Sequence, residues 1–436
     1  MILPRPNVRF PETLYLAAVS SDSWGCIEPV RTAITISAAI AFLGALLAFG
    51  QASPPSFQFP SGSAAANIPF DSVANGLVLV SAQVNHHAGW FILDNAAQGF
   101  TLDRTFVRQI ELQSGGSALA RTDTAKTIET TIARDVEIGL PGLDLTHRNF
   151  VVLDLKGIEP VVGHEVDGII GSRLFDDFVV AIDYEHRRLS IYSPQHFRPP
   201  KTAKEIPVRV DSHGFQFIEA TIALPGVKPF TASFLIDGGA NSFADIYKPF
   251  ADAHQLPPPG MKLLDQSGTG AGGTSQLRDG RAEEIRIGLY AVKNPPITFT
   301  QETEGLMAAK DHAGLIGAEF LRRFTVIYDS PGKRIWLAPN GNYGKTAEYD
   351  QSGLKLRAEG EGWRRCVVQR IVPQSPAAEA GVEVGDVIES IEGRRAKGLT
   401  LSKVQEILRT PNAHCVLDLL RGNGRVRVTM RLRPLI

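Results

Sequence analysis

Phe91-Ile-Leu-Asp94-Asn-Ala-Ala97 and Phe234-Leu-Ile-Asp237-Gly-Gly-Ala240 spell nearly one phrase: an apolar run, an aspartate, then small residues. The likeness does not stop there. Asp167-Gly-Ile-Ile-Gly171-Ser-Arg-Leu-Phe-Asp-Asp-Phe178 aligns without a gap on Ala313-Gly-Leu-Ile-Gly317-Ala-Glu-Phe-Leu-Arg-Arg-Phe324. Asp94 lies 143 residues before Asp237 and Asp167 lies 146 before Ala313, so two separate blocks keep almost one offset. That regularity marks an internal repeat and predicts two homologous lobes with one aspartate each.

Short runs rich in Val, Ile and Phe, together with 41 Gly and 28 Pro among 436 residues, predict a mainly β protein. Alternating apolar positions at Leu77, Leu79 and Val80 and the run Phe91 to Leu93 read as strands. Phe178 to Tyr184 with Arg187 to Tyr192 reads as a hairpin, and Phe324 to Asp329 with Lys333 to Leu337 repeats it. Pro199-Pro200 separates the lobes, and Pro339 to Gly344 closes the second.

From Ser352 the pattern changes. Gly353-Leu-Lys-Leu356 is followed by a strand-like Cys366 to Val372. A short helix then runs within Ser375-Pro-Ala-Ala-Glu-Ala-Gly381, with Ser375 as cap, Pro376 in the first turn and Gly381 at the exit. Leu401, Val404 and Leu408 share one face of a further helix.

The formal charge of −1 implies no field for nucleic acid. Arg31 precedes an apolar stretch from Ala33 to Phe49 that ends in Gly50-Gln51-Ala52, which reads as an export signal or, uncleaved, as a membrane anchor. The expected location is therefore periplasmic or extracellular. Cys366 and Cys415 either pair in that oxidising setting or remain buried free thiols.

One aspartate per lobe at the tip of a tight turn suits two carboxyls brought face to face. Such a pair cannot carry both charges, so one member stays protonated while the other accepts a proton from water. That is general acid and base catalysis. Other motifs carry less. Gly268-Thr-Gly-Ala-Gly-Gly273 has dinucleotide-site spacing but no flanking strand and helix, and reads as a loop. His86-His87 and His164-Glu165 lack metal-ligand spacing and read as surface residues, and no metal or other cofactor is expected. Arg322-Arg323 and Arg364-Arg365 read as solvated charges.

On these blocks the chain from about 65 to 340 resembles the retropepsin-like (pepsin and retroviral type) aspartic proteases in a two-lobed, single-chain form. The matching features are Asp94 and Asp237 and the apolar pairs before Gly171 and Gly317. The resemblance implies β-barrel lobes with a cleft between them, a flap near Gly268 to Gly273, and Asp94 and Asp237 as the catalytic pair. It also implies dyad-supporting turns formed by Asn95 and Ala96 in one lobe and by Gly238, Gly239 and Ala240 in the other. The family's Asp-Thr-Gly-Ala has threonines that bond across the lobes; Asn95 and Gly238 stand in their places here.

The C-terminal segment resembles a PDZ domain. The resemblance implies a peptide-binding groove in which Gly353, Leu354 and Leu356 form the carboxylate loop and Leu401, Val404 and Leu408 face it from the helix. The expected organisation is a leader or anchor over 1–52, a spacer over 53–66, lobes over 67–198 and 199–345, and a PDZ domain over 346–436. The expected function is an exported aspartic endopeptidase acting on polypeptides, with peptide C-termini as PDZ partners. The alternative is a catalytically impaired pseudoprotease that serves as a peptide-binding scaffold.

Overall fold

The computed structural model describes residues 55–59, 65–122, 124 and 127–436. The apolar stretch read as an export signal or anchor lies outside them. Among the described residues, no helix is long and apolar enough to cross a membrane.

The fold is mainly β. Leu77–Val84 alternates buried and exposed residues toward its end and pairs antiparallel with His87–Leu93, whose last residues Phe91, Ile92 and Leu93 are buried. Gly168–Ile170 runs parallel to Phe91 to Leu93 and antiparallel to Phe100–Asp103. In the second sheet, Gly314–Gly317 likewise runs parallel to the end of Phe230–Asp237 and antiparallel to Ala244–Ile246. The outer neighbours match as well, with Leu143–Leu153 parallel to the first strand set and Pro296–Thr300 parallel to the second. Glycine is required at this crossing because a Cβ on Gly168 would overlap the Thr101 carbonyl, and one on Gly314 would overlap that of Asp245.

A six-stranded antiparallel sheet joins the two. Its order is Lys204–Pro207, Arg334–Pro339, Phe324–Asp329, Val179–Asp183, Arg188–Tyr192 and Ala65–Pro69. The seam pairs Val180 with Tyr328 and Ile182 with Val326. These residues enter one continuous apolar core that includes strands of both flanking sheets. On the opposite face Val179, Ile327, Trp336 and Phe197 form a smaller cluster. Burial on both faces fixes the register, since a slip of one residue would exchange the two sets.

Two details depart from the reading of the sequence. Ser56–Gln58, expected within a spacer, forms a strand on Leu143–Leu153, and Phe57 packs edge-on against Phe178. Arg323, expected to be solvated, is 5% exposed. Its guanidinium donates to the carbonyls of Asn342, Tyr343, Lys345 and Thr346 and stands over the Phe243 ring. A loop folded back over the side chain replaces water, which a pair of adjacent arginines in the sequence does not disclose.

The C-terminal unit orders its strands Leu354–Glu359, Arg365–Ile371, Val387–Ile391, His414–Arg421 and Gly424–Arg431. The Ser375 hydroxyl accepts from the Ala378 N–H and caps Pro376–Glu379, and Gly381 takes φ +73. Leu401–Leu408 buries Leu401, Val404 and Leu408. Cys366 and Cys415 are free and buried, and burial pushes their thiols up to about 11 and about 12.

Candidate active site

Asp94 and Asp237 both stand where a buried strand gives way to a turn of small residues. Asp94 follows His87–Leu93 and donates its N–H to Ile170 O at 2.9 Å; Asp237 ends Phe230–Asp237. The turn after Asp94 returns two N–H groups to its own carboxylate, Ala96 at 2.8 Å and Ala97 at 3.1 Å to Oδ1. The turn after Asp237 does the same with the Gly239 N–H at 2.8 Å. Each carboxylate is thus oriented by its own backbone, with one oxygen engaged.

The two turns are in contact. A Cβ on Gly239 would overlap the carboxylate of Asp94, so the residue beside Asp237 must be glycine for the first carboxylate to fit. Asn95, 2% exposed, ties the turns together from below. Its Nδ2 donates to Ile236 O at 2.6 Å and its Oδ1 accepts the Gly238 N–H at 2.8 Å. One amide makes two bonds across the seam because it offers both a donor and an acceptor. Gly238 has no side chain to return the grip, and a Cβ there would stand 3.0 Å from Asn95 Oδ1, so the asparagine fills the space that a second side chain would need.

Burial dominates the electrostatics. It raises Asp94 from an ordinary 3.8 to about 6, against the opposing N–H groups of Ala96 and Ala97. Asp237 is raised well above 3.8 by burial first and by the charge of Asp94 second. Both residues are half-buried. Two carboxyls so coupled titrate as a unit, with both raised by burial and each hindering the other's ionisation. Two neighbours that sequence reasoning missed bear on this. Asp245 is buried and raised to about 7 by that burial, and its charge adds to the pressure on Asp237. The hydroxyl of Tyr328, in the seam strand, is buried without a hydrogen-bond partner among the described residues and is held protonated by burial, by Tyr184 and by both aspartates. Asp245 lies outside the repeated blocks, and the repeated hairpin that contains Tyr328 marks a strand without marking its hydroxyl.

Two hairpins meet at their tips. Ser114–Arg121 with Thr127–Leu140 is the first, and Leu264–Gly270 with Gly273–Arg281 is the second; the latter carries Gly268 to Gly273 at its turn. The Thr124 hydroxyl donates to Gly272 O at 3.1 Å, and the Leu306 N–H donates to Thr122 O at 3.0 Å. A cavity of about 270 Å³ lies elsewhere, among Phe243, Glu319, Arg323, Ala347 and Arg409.

The remaining residues singled out in the sequence fall outside this centre. His86, in a turn, and His87, at the start of a strand, are exposed, and His164 packs against Trp90 with ring centroids 4.7 Å apart. Among the described residues, no group of three or more His, Cys, Asp or Glu is placed to hold a metal ion. Leu354, Leu356, Leu401, Val404 and Leu408 are all at most 5% exposed and form part of the C-terminal unit's core. Gly353 donates its N–H to Asp350 Oδ2 at 2.7 Å.

Residues 219–320 match the family model for aspartyl protease, a span that includes Asp237 and Gly314–Gly317. Residues 367–421 match that for the PDZ domain. The chain therefore carries an aspartyl protease domain followed by a PDZ domain. No curated protein matches it.

Proposed function

We propose that the chain is an exported aspartic endopeptidase, built from two duplicated lobes, that hydrolyses polypeptides with a water held between Asp94 and Asp237. The observation that carries this reading is the Asn95 bridge together with the fit of the Asp94 carboxylate against Gly239, which brings the two turns together. Ionised Asp94 takes a proton from the water as its oxygen attacks the peptide carbonyl, and protonated Asp237 gives its proton to the carbonyl oxygen. The tetrahedral diol then collapses. Asp94 passes its proton to the departing amine nitrogen, and a diol hydroxyl returns a proton to Asp237, so water and peptide become acid and amine with the dyad restored.

The hairpin tips that meet through Thr124 and Gly272 fit a pair of flaps that part to admit an extended chain and then exclude bulk water. The PDZ domain supplies a second peptide contact, for free C-termini. The apolar stretch from Ala33 to Phe49 supports export.

The test is cleavage of an unfolded polypeptide between pH 4 and 8, with new termini read by mass spectrometry. Wild type is expected to cut, and Asp94→Asn and Asp237→Asn are each expected to be inactive while remaining folded. A wild-type chain that cuts nothing over this range, or an Asp94→Asn chain that cuts as well, overturns the reading and leaves a peptide-binding scaffold.

A further inference from the structure

The PDZ domain presents Leu354–Glu359 as the edge strand of its sheet, paired among the described residues only with Arg365–Ile371, and sets helix Leu401–Leu408 beside it. An incoming peptide adds to such an edge, between strand and helix, with its terminal carboxylate on the loop that starts the strand. In this chain other residues already stand there. The short helix Glu159–Val162, from the protease side of the molecule, packs on Leu354–Glu359. Gly163, which ends that helix at φ +71, fits between the two walls of the groove. A Cβ on it would meet Leu401 Cβ at 2.9 Å on the helix side and Ala358 Cβ at 3.6 Å on the strand side. Leu401 is left 1% exposed and Ala358 0%.

The carboxylate loop is engaged as well. The Ser352 and Gly353 N–H groups donate to the carboxylate of Asp350 at 3.2 and 2.7 Å, and the Leu354 N–H donates to the Ser352 hydroxyl at 3.0 Å. A negative group from the chain itself thus faces N–H groups that a peptide terminus would use.

Two contacts outside the groove hold the arrangement. Arg409, just past the helix, pairs with Glu319 at 2.5 Å, both largely buried, and the Ala74 N–H donates to the Ser402 hydroxyl at 3.0 Å. Glu319 lies two residues past Gly314–Gly317, and Glu159–Val162 precedes Gly168–Ile170. The PDZ domain therefore leans on the chain next to both strands that support the aspartates.

We propose that the PDZ groove is a docking site for this chain's own segment Ile158 to Gly163, and that a peptide with a free C-terminus enters only by displacing it. The part that concerns outside peptides rests on the peptide-recruiting reading above; the internal docking does not. When the docked state predominates, apparent affinity for an outside peptide falls by the fraction of molecules that are open. Occupation from outside and docking on the protease are then reciprocally linked.

The test uses the full chain, wild type and Arg409→Glu, which sets two carboxylates against each other at the brace without touching the groove. The probe is a fluorescein-labelled decapeptide ending in a free valine carboxylate, with its C-terminal amide as control, and hydrogen exchange is followed by mass spectrometry. Arg409→Glu is expected to bind the free acid about tenfold tighter than wild type. It is also expected to exchange faster over 158–163 and 354–359 while 234–237 stays protected. Saturating probe should speed exchange over 158–163 in the wild type. Exchange at 158–163 that is the same in both chains, with and without probe, overturns the proposal. If neither chain binds the probe yet exchange at 158–163 quickens in the variant, docking stands and peptide recruitment falls. Should Arg409→Glu lose protection at 234–237 too, Ser402→Ala gives the milder version, with a smaller change in the same direction expected and no change overturning the proposal.

Discussion

Asn95 and Gly238 are joined by a buried hydrogen bond, N–H to Oδ1 at 2.8 Å, while the same side chain donates to Ile236 O at 2.6 Å. A single amide thus grips the backbone on either side of Asp237. Replacing Asn95 with alanine strips both bonds and leaves a buried N–H and a buried carbonyl unpaired, a loss of about 1–3 kcal/mol. The expected outcome is a lower denaturant midpoint and slower cleavage per folded molecule. Asn95→Thr keeps a hydroxyl that donates once and accepts once, and is expected to recover part of both. Equal stability of Asn95→Ala and wild type in urea unfolding would contradict the bridge.

Gly239 and Gly238 separate two kinds of damage. At Gly239 a methyl group overlaps the Asp94 carboxylate, so Gly239→Ala is expected to remove activity by displacing one member of the dyad. At Gly238 the added carbon stops 3.0 Å from Asn95 Oδ1, a crowding that a small shift of the amide relieves in part. Gly238→Ala is expected to retain measurable activity with weakened thermal stability. Initial rates of the two variants on one substrate check the order.

Stability is expected to fall with rising pH across the acid range. Asp94 is held at about 6 in the folded chain against 3.8 ordinarily, so the folded state binds the proton more tightly than the unfolded one. Its contribution is fully present below about pH 3.8 and is lost as pH rises through about 6, with a size on the order of 2 kcal/mol. Asp176, also raised to about 6 by burial, works in the same direction, so the comparison must isolate the dyad. Asp94→Asn is expected to flatten the wild-type slope between pH 4 and 6, as read from urea midpoints at each pH.

Arg323 is expected to matter for folding rather than chemistry. Its removal unpairs the carbonyls of Asn342, Tyr343, Lys345 and Thr346 beneath the loop that leads to the PDZ domain. Arg323→Ala is expected to cost about 2–4 kcal/mol, with cleavage per folded molecule little changed. Lysine, a point charge without a planar fork, is expected to recover only a minor share.

Features that recur or follow a local period were legible in the sequence. The repeated aspartate phrase located Asp94 and Asp237, and the Ile-Ile-Gly and Leu-Ile-Gly blocks located the strands that pair beside them. The 401–408 helix and the Ser375 cap were legible because each follows a local rule that tertiary contacts here reinforce. Features set by distant approach were not. Arg323 reads as a surface charge until the 342–346 loop covers it. Ser56–Gln58 reads as a linker until Leu143–Leu153 offers an edge. The leucines of 401–408 read as a groove wall, yet nothing in their spacing reveals that Gly163 stands against Leu401.

The central claim is that Asp94 and Asp237 share one proton, and carboxyl carbon shifts in 13C-aspartate-labelled wild-type, Asp94→Asn and Asp237→Asn chains titrated by NMR test it most directly. The expected result is one apparent pKa near 6 and a second well above it in the wild type, with Asp237 falling once Asp94 is neutral. Two aspartates that titrate independently near 4, each unmoved by substitution of the other, would contradict it.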